Sequence, residues 1–225
     1  TRLIPLGEWR MVMRPTIAVI ISAHPARVRN GMLDEALRSV MSQTLLPDAI
    51  HVAIDNDREG APATKQRALM AATTDFVQIL DSDDLLLPKH LEWIARHQQE
   101  TDADFCYAWF KVLQQMADGS KRVLEDDPVF PVSHYLNPWD PDDPIETTTT
   151  VFVRTELAQK IGFKALDRGE INTGEDRYFT LGCLAEGAKI SHLVRKSWLW
   201  RHHQIAPGVP GNSSGHGNLG DAALG

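Results

Sequence analysis

Cysteine is nearly absent from this chain, with Cys106 and Cys183 the only two among 225 residues. Both stand inside apolar segments, FCYAWF and LGCLA, so they read as small core residues rather than a disulfide framework, and a reducing compartment fits. Long apolar runs are missing too. No window approaches the roughly 18 unbroken apolar residues of a membrane span, and the opening TRLIPLGEWRMVMRP lacks the apolar centre of a secretory signal. A cytoplasmic location is expected. Basic residues are the minority, 23 Lys and Arg against 30 Asp and Glu, and the net charge of −7 argues against a nucleic-acid binder that works by bulk electrostatics. There is no internal repeat, and SAHPARVRN, after the first apolar run, has no glycine with which to build a phosphate loop. That counts against a nucleotidyltransferase.

What is present suffices for one core. With 43% hydrophobic and 24% charged residues, the chain reads as a single soluble enzyme-sized domain. TIAVIIS (16–22) is a continuous β-branched run of the kind a strand buried on both faces requires, and MLDEALRSVMSQ (32–43) has helical apolar spacing. The pair recurs: AIHVAID (49–55) reads as a strand, ATKQRALMAA (63–72) as a helix, FVQILD (76–81) as a strand. PKHLEWIARHQQ (88–99) then reads as a helix with proline in its first turn. Strands alternating with helices predict an α/β domain with a mostly parallel central sheet flanked by helices. After DFCYAWFKVLQQ the rhythm changes. ADGS reads as a hairpin turn, PVFPVSHYLNPWDPDDP as a surface excursion, ETTTTVFVR as a strand leading into a helix from Thr155. GEDRYFTLGCLAEG then reads as a helix, and KISHLV as a strand with WLWRHH close behind. The Gly, Ser and Pro-rich segment 206–225 reads as a tail or lid, with Asn212, Ser213 and Ser214 as its polar groups.

In a parallel sheet of this kind, ligands bind outside the carboxyl ends of the strands. The first strand ends at Ala23-His24-Pro25, the second at Asp55-Asn56-Asp57, the third at Asp81-Ser82-Asp83-Asp84, which brings five carboxylates to one rim. Alternate residues of an extended segment project to one side, so Asp81 and Asp83 can face one ligand. Paired carboxylates without soft ligands suit a hard cation, Mn²⁺ or Mg²⁺, which in turn binds a diphosphate. A solvated turn that caps the next element uses the same residues.

The succession IAVIISAHPARV, HVAIDND, TKQRALMAATTDFVQILDSDD, TTTTVFVRTELAQKIGF, GEDRYFTLGCLAEGAKI and WLWRHH resembles the family 2 nucleotide-sugar glycosyltransferases of the GT-A fold. The resemblance runs from about Thr16 to His203, in family order. It implies a GT-A domain over 1–205, with a nucleotide-sugar-binding half at about 16–100 and an acceptor and catalytic half at about 101–205. It also implies a donor site for a nucleotide sugar, UDP-linked as the family default. Ala23, His24 and the strand end at Asp55 would hold the base, Asp81 the ribose, and Asp83, with Asp81 beside it and the late His203, the metal. Lys65, with Arg67, would assist the diphosphate, although a helix face charged toward solvent explains both. Two positions depart from the family pattern: Lys65-Gln66 stands where relatives have Arg-Asn, and the first-strand loop carries His-Pro in place of a Thr-Tyr-Asn type of sequence.

Glu175-Asp176 falls where the family keeps its catalytic acidic pair. Asp176 is the implied general base, with inversion at the anomeric carbon, and Glu175 would orient it or contact the acceptor. Acidic residues in a first helical turn also simply complement the helix dipole. The implied acceptor is a glycan or a hydroxymethylated pyrimidine in phage DNA, the second because RKSWLWRHH (195–203) interleaves four cationic or potentially cationic groups, from Arg195 to His202, with Trp198 and Trp200. In the phage case the location would be the host cytoplasm. A non-catalytic nucleotide-sugar-binding module is the remaining alternative, and no oligomeric state is indicated.

Overall fold

The computed structural model describes residues 14–116, 118–125, 150–164 and 175–203, the last by its backbone. Along the chain run β1 (Ile17–Ala23), α1 (Pro25–Arg29), α2 (Met32–Met41), β2 (Ala49–Ile54), α3 (Ala61–Met70), β3 (Phe76–Asp81), β4 (Leu85–Leu86), α4 (His90–Thr101), β5 (Phe105–Gln115) and β6 (Lys121–Leu124). They are followed by β7 (Val151–Arg154), α5 (Thr155–Ile161), α6 (Glu175–Ala185) and β8 (Ile190–His203). The described strands form one sheet in the order β2-β1-β3-β7-β5-β8-β4, with β6 paired to β5. β1 is parallel to β2 and β3, and β5 to β8, whereas β7 is antiparallel to both β3 and β5. The expected parallel sheet is thus found in the first half. The second half is mixed.

Period-two burial explains the layering. On β1, Ile17, Val19, Ile21 and Ala23 face a cluster with Leu33, Ala36 and Val40 of α2 and Leu91, Ile94 and Ala95 of α4. Ala18 and Ile20 face the opposite cluster, with Ala68 and Leu69 of α3, Ala158 of α5 and Phe179 and Cys183 of α6. A strand enclosed on both faces must be apolar throughout, and burying each of its large aliphatic side chains contributes about 1.5–3 kcal/mol. Both cysteines are free and fully buried, as expected, and burial pushes each thiol up to about 12. Gly182 lets α6 press on α5, because a Cβ there would lie 2.6 Å from Ile161 Cγ2. That contact helps to seat the helix that begins at Glu175.

Several boundaries differ from the sequence reading, each for a long-range reason. Pro88 precedes the helix instead of entering it, since its carbonyl accepts from Thr44 N–H (2.8 Å) and Leu87 N–H reaches Ser197 O (2.9 Å) across to β8. KISHLV and WLWRHH form one strand, whose register on β5 shifts on either side of Trp109. Trp198, 1% exposed, fills that irregularity and donates from Nε1 to Ala108 O at 3.0 Å. Asp118, Gly119 and Ser120 of the expected turn lie between the antiparallel pair β5 and β6, with Gly119 N–H donating to Met116 O at 2.9 Å. The surface excursion at 128–144 and the tail or lid at 206–225 lie outside the described residues. Among those described, no helix is long and apolar enough to cross a membrane.

Candidate active site

The strand order places a topological switch at β1, from which the chain crosses to β2 on one side and later returns to β3 on the other. Crevices open at such points, outside the carboxyl ends of the strands. Ser22 pairs with Asp81 in register, so the loop from Ala23 and the turn Asp81–Asp84 sit side by side. The turn closes with Asp84 N–H donating to Asp81 O at 3.1 Å.

The four residues of that turn have separate fates. Asp84 is buried, 2% exposed, and its Oδ1 accepts from the backbone N–H of Arg201 (2.9 Å). Burial, with Asp83 and Asp81 nearby, holds its carboxyl well above the usual range. Asp84 is therefore part of the frame, and the rim has one carboxylate fewer than the sequence suggested. Arg201 is buried as well. Its Nε donates to Asp83 O (2.6 Å), its Nη1 to Gln115 Oε1 (2.7 Å) and its Nη2 to Glu35 Oε2 (2.6 Å). Glu35 also accepts from Lys121 Nζ at 2.5 Å. Burial works to raise the Glu35 pKa, but these two cations outweigh it and hold it low.

A second cluster stands on the other side of the turn. Lys65 of α3, which sequence alone allowed on a solvent face, points inward at 3% exposure. Its ammonium lies 3.3 Å from Asp81 Oδ1, 3.3 Å from Glu175 Oε1 and 3.1 Å from Asp176 Oδ1. Burial would lower the Lys65 pKa, yet the three carboxylates raise it well above the ordinary lysine value. One ammonium cannot compensate three carboxylates, so the last of them to ionise does so late. Asp176 carries that excess: desolvation pushes it up to about 7, against the pull of Lys65 and with the push of Glu175 and Asp81. A carboxylate near neutrality, with a quarter of its side chain still exposed, is suited to accepting a proton from a bound hydroxyl.

The donor-side residues are placed less uniformly. Ala23 is buried at the end of β1, and His24 is exposed, its Nδ1 accepting from Ala26 N–H (3.2 Å) to cap α1, a helix the sequence reading missed. Asp55 accepts from the N–H groups of Glu59 (2.7 Å) and Gly60 (3.0 Å), which shapes the loop around Arg58 at φ 57°. Asp83 Oδ2 pairs with Arg27 Nη1 of α1 at 2.5 Å. Arg67 is turned away to Glu59 (2.6 Å) and Ile54 O (2.8 Å). His203 ends β8 opposite Gln115, and its side chain lies outside the described residues.

Among the described residues no group of three or more His, Cys, Asp and Glu side chains is placed to hold a metal ion. The donor chemistry of the turn still fits a hard cation, because Mg²⁺ is commonly held by one or two carboxylates together with substrate phosphates. Asp83 offers such a carboxylate. A recess of about 420 Å³ beside α3, lined by Glu59, Pro62, Gln66, Arg67, Met70 and Phe163 among others, has none of the clustered carboxylates in its wall. Geometry and charge thus favour the strand ends over that recess.

Comparison with known proteins bears on the family and the fold. Residues 56–162 match glycosyl transferase family 2. Staphylococcus aureus TarS, residues 1–349 in complex with UDP, superposes with a TM-score of 0.61 at 18% identity, covering 83% of this chain and 60% of that one. The UDP-GlcNAc complex of the same TarS fragment gives 0.61 at 18% identity, covering 83% and 58%. A further structure of S. aureus TarS gives 0.60, also at 18%, covering 83% of this chain and 36% of that one. The chain therefore spans less than two thirds of these relatives. A comparison with curated proteins found no match.

Proposed function

We propose, from the premise that this is a family 2-like glycosyltransferase domain with a GT-A fold, that it moves a sugar from a UDP-sugar to an acceptor hydroxyl with inversion. The observation that carries the reading is the convergence of Asp81, Glu175 and Asp176 on the buried Lys65 at the switch point of the sheet. TarS was solved with UDP and with UDP-GlcNAc, which supports UDP as the nucleotide.

Ala23, His24 and Asp55 would border the base and Asp81 the ribose. A divalent cation, Mn²⁺ or Mg²⁺, held by Asp83 with Asp81 and His203, would neutralise charge on the departing diphosphate. Asp176 takes the proton of the acceptor hydroxyl as its oxygen bonds to the anomeric carbon, while the bond from that carbon to the phosphate oxygen breaks and its electron pair leaves with the nucleoside diphosphate. Lys65 positions Asp176 and keeps it ionised enough to act. Glu175, sharing the same ammonium, orients the pair.

A glycan is the acceptor favoured here. Trp198 and Arg201 are enclosed, Arg195 lies over Trp93 at 4.3 Å and Lys196 pairs with Glu125 at 3.7 Å, so among the described residues these four side chains are engaged within the protein, which disfavours a basic and aromatic platform for an extruded DNA base. The experiment is a panel of nucleotide sugars incubated with Mn²⁺ and scored for free nucleoside diphosphate, then repeated with oligosaccharides and with hydroxymethylated or plain duplex DNA. Donor cleavage stimulated by an oligosaccharide is expected. Cleavage of no donor refutes the enzyme reading, and transfer confined to hydroxymethylated DNA refutes the glycan.

A further inference from the structure

Three cations stand near the carboxylates at the end of β3, and two of them are buried. The Arg201 side chain is wholly covered, with Nε, Nη1 and Nη2 all donating to protein oxygens. The Lys65 side chain, 4% exposed, serves three carboxylates. Arg27 differs from both. It stands on α1, immediately after the end of β1, keeps 26% of its side chain exposed, and pairs with Asp83 Oδ2 while its Nη1 also lies 3.3 Å from Met32 Sδ. Asp83 differs from its neighbours in the same sense. Its carbonyl is fixed by Arg201, but its carboxylate turns to the loop, whereas Asp84 is buried and Asp81 is drawn to Lys65.

We infer that Arg27 is a diphosphate-binding residue held in reserve on Asp83: the nucleoside diphosphate takes the guanidinium, and the Asp83 carboxylate is thereby released to the divalent cation. The inference deepens the donor reading above and rests on it. A diphosphate brings several negative charges to a rim already rich in carboxylates, so it needs a cation from the protein that can move to it. A guanidinium is the side chain that binds carboxylate and phosphate oxygens through the same planar fork, which makes the exchange a change of partner with little change in hydrogen bonding. Until that exchange, Arg27 occupies the carboxylate that a bare cation would need. Nucleotide and cation therefore assist each other, and removing Arg27 acts on them with opposite sign, whereas a merely structural loss weakens both.

Calorimetric titration of wild type, Arg27→Ala and Arg27→Lys tests this, first with Mn²⁺ alone and then with UDP, GDP or dTDP in Mn²⁺. For the diphosphate that wild type binds, Arg27→Ala is expected to weaken affinity by about tenfold or more, the loss of a charge-assisted contact, while Mn²⁺ alone binds severalfold tighter. Arg27→Lys is expected to recover part of the nucleotide affinity, since it restores the charge without the fork. Thermal melts identify any variant that fails to fold, in which case Arg27→Gln takes its place. Unchanged nucleotide affinity in Arg27→Ala, or Mn²⁺ that binds no tighter, overturns the inference and leaves the donor reading standing. A wild type that binds none of the three diphosphates overturns both.

Discussion

Two clusters of charge flank the Asp81–Asp84 turn, and they are built on opposite terms. Around Arg201, one guanidinium meets Glu35, Gln115 and the Asp83 carbonyl, and every donor nitrogen has an oxygen of the protein to match. Around Lys65, one ammonium faces three carboxylates and leaves negative charge over. The first arrangement fixes the turn. The second holds a carboxylate close to its point of protonation, with part of its surface open to a substrate. A buried balanced cluster is a frame, and a buried unbalanced one is where proton chemistry can be done.

The frame should break hardest. Arg201→Ala leaves Glu35 and Gln115 without their guanidinium inside the fold, and an unfolding free energy lower by about 3 kcal/mol is expected, at the low end for a broken buried pair because Glu35 is partly exposed. Urea denaturation measures it. Lys65→Met strikes the other cluster. The ammonium now holds Asp176 down, so its removal raises the Asp176 pKa further and moves the acid limb of the pH-rate profile to higher pH, by about one unit, equivalent to 1.4 kcal/mol. The rate gap from wild type should be wide at pH 7 and narrow as pH rises. A profile that keeps its acid limb in place would mean that Lys65 does not govern the base.

A third, neutral network sharpens the contrast. His90, 1% exposed, bridges Gln78 Oε1 and Ser197 Oγ at 2.8 Å each, tying α4 to β3 and β8. Burial lowers its pKa from 6.5 to about 3. A depressed histidine contributes stability that is complete above pH 6.5 and is lost as the pH falls toward 3, because there the unfolded chain binds the proton and the folded one does not. Wild type should lose stability relative to His90→Gln by about 1.4 kcal/mol per pH unit in that window. Parallel pH curves for the two proteins would contradict it.

The parts legible in the sequence share a cause. β1, β2 and β3 announce themselves because local composition suffices: TIAVIIS is apolar at every position since both faces are covered, and the acidic residues follow directly at the strand ends. Glu175-Asp176 was singled out by the family resemblance instead, since acidic residues in a first helical turn also serve the helix dipole. What was hidden depends on pairs far apart in the chain. Arg201 meets Glu35 across 166 residues and Lys65 meets Asp176 across 111, so nothing near either position distinguishes a buried cation from a solvated one. Asp84 was grouped with the rim for the same reason, since the backbone N–H that claims it lies 117 residues away. The one available signal at Arg201 was its position in an aromatic strand, WLWRHH, where a cation has little water to reach.

The central claim is that Asp176 is the base, and one paired measurement tests it most directly. UDP affinity and turnover are determined for wild type and Asp176→Asn, with the donor and acceptor that wild type uses. Affinity within about twofold of wild type, with turnover lower by about a hundredfold or more, is the predicted result, since an amide keeps the shape of the site but cannot take the acceptor's proton. Turnover in Asp176→Asn equal to wild type would contradict the assignment and with it the function read from the Lys65 cluster.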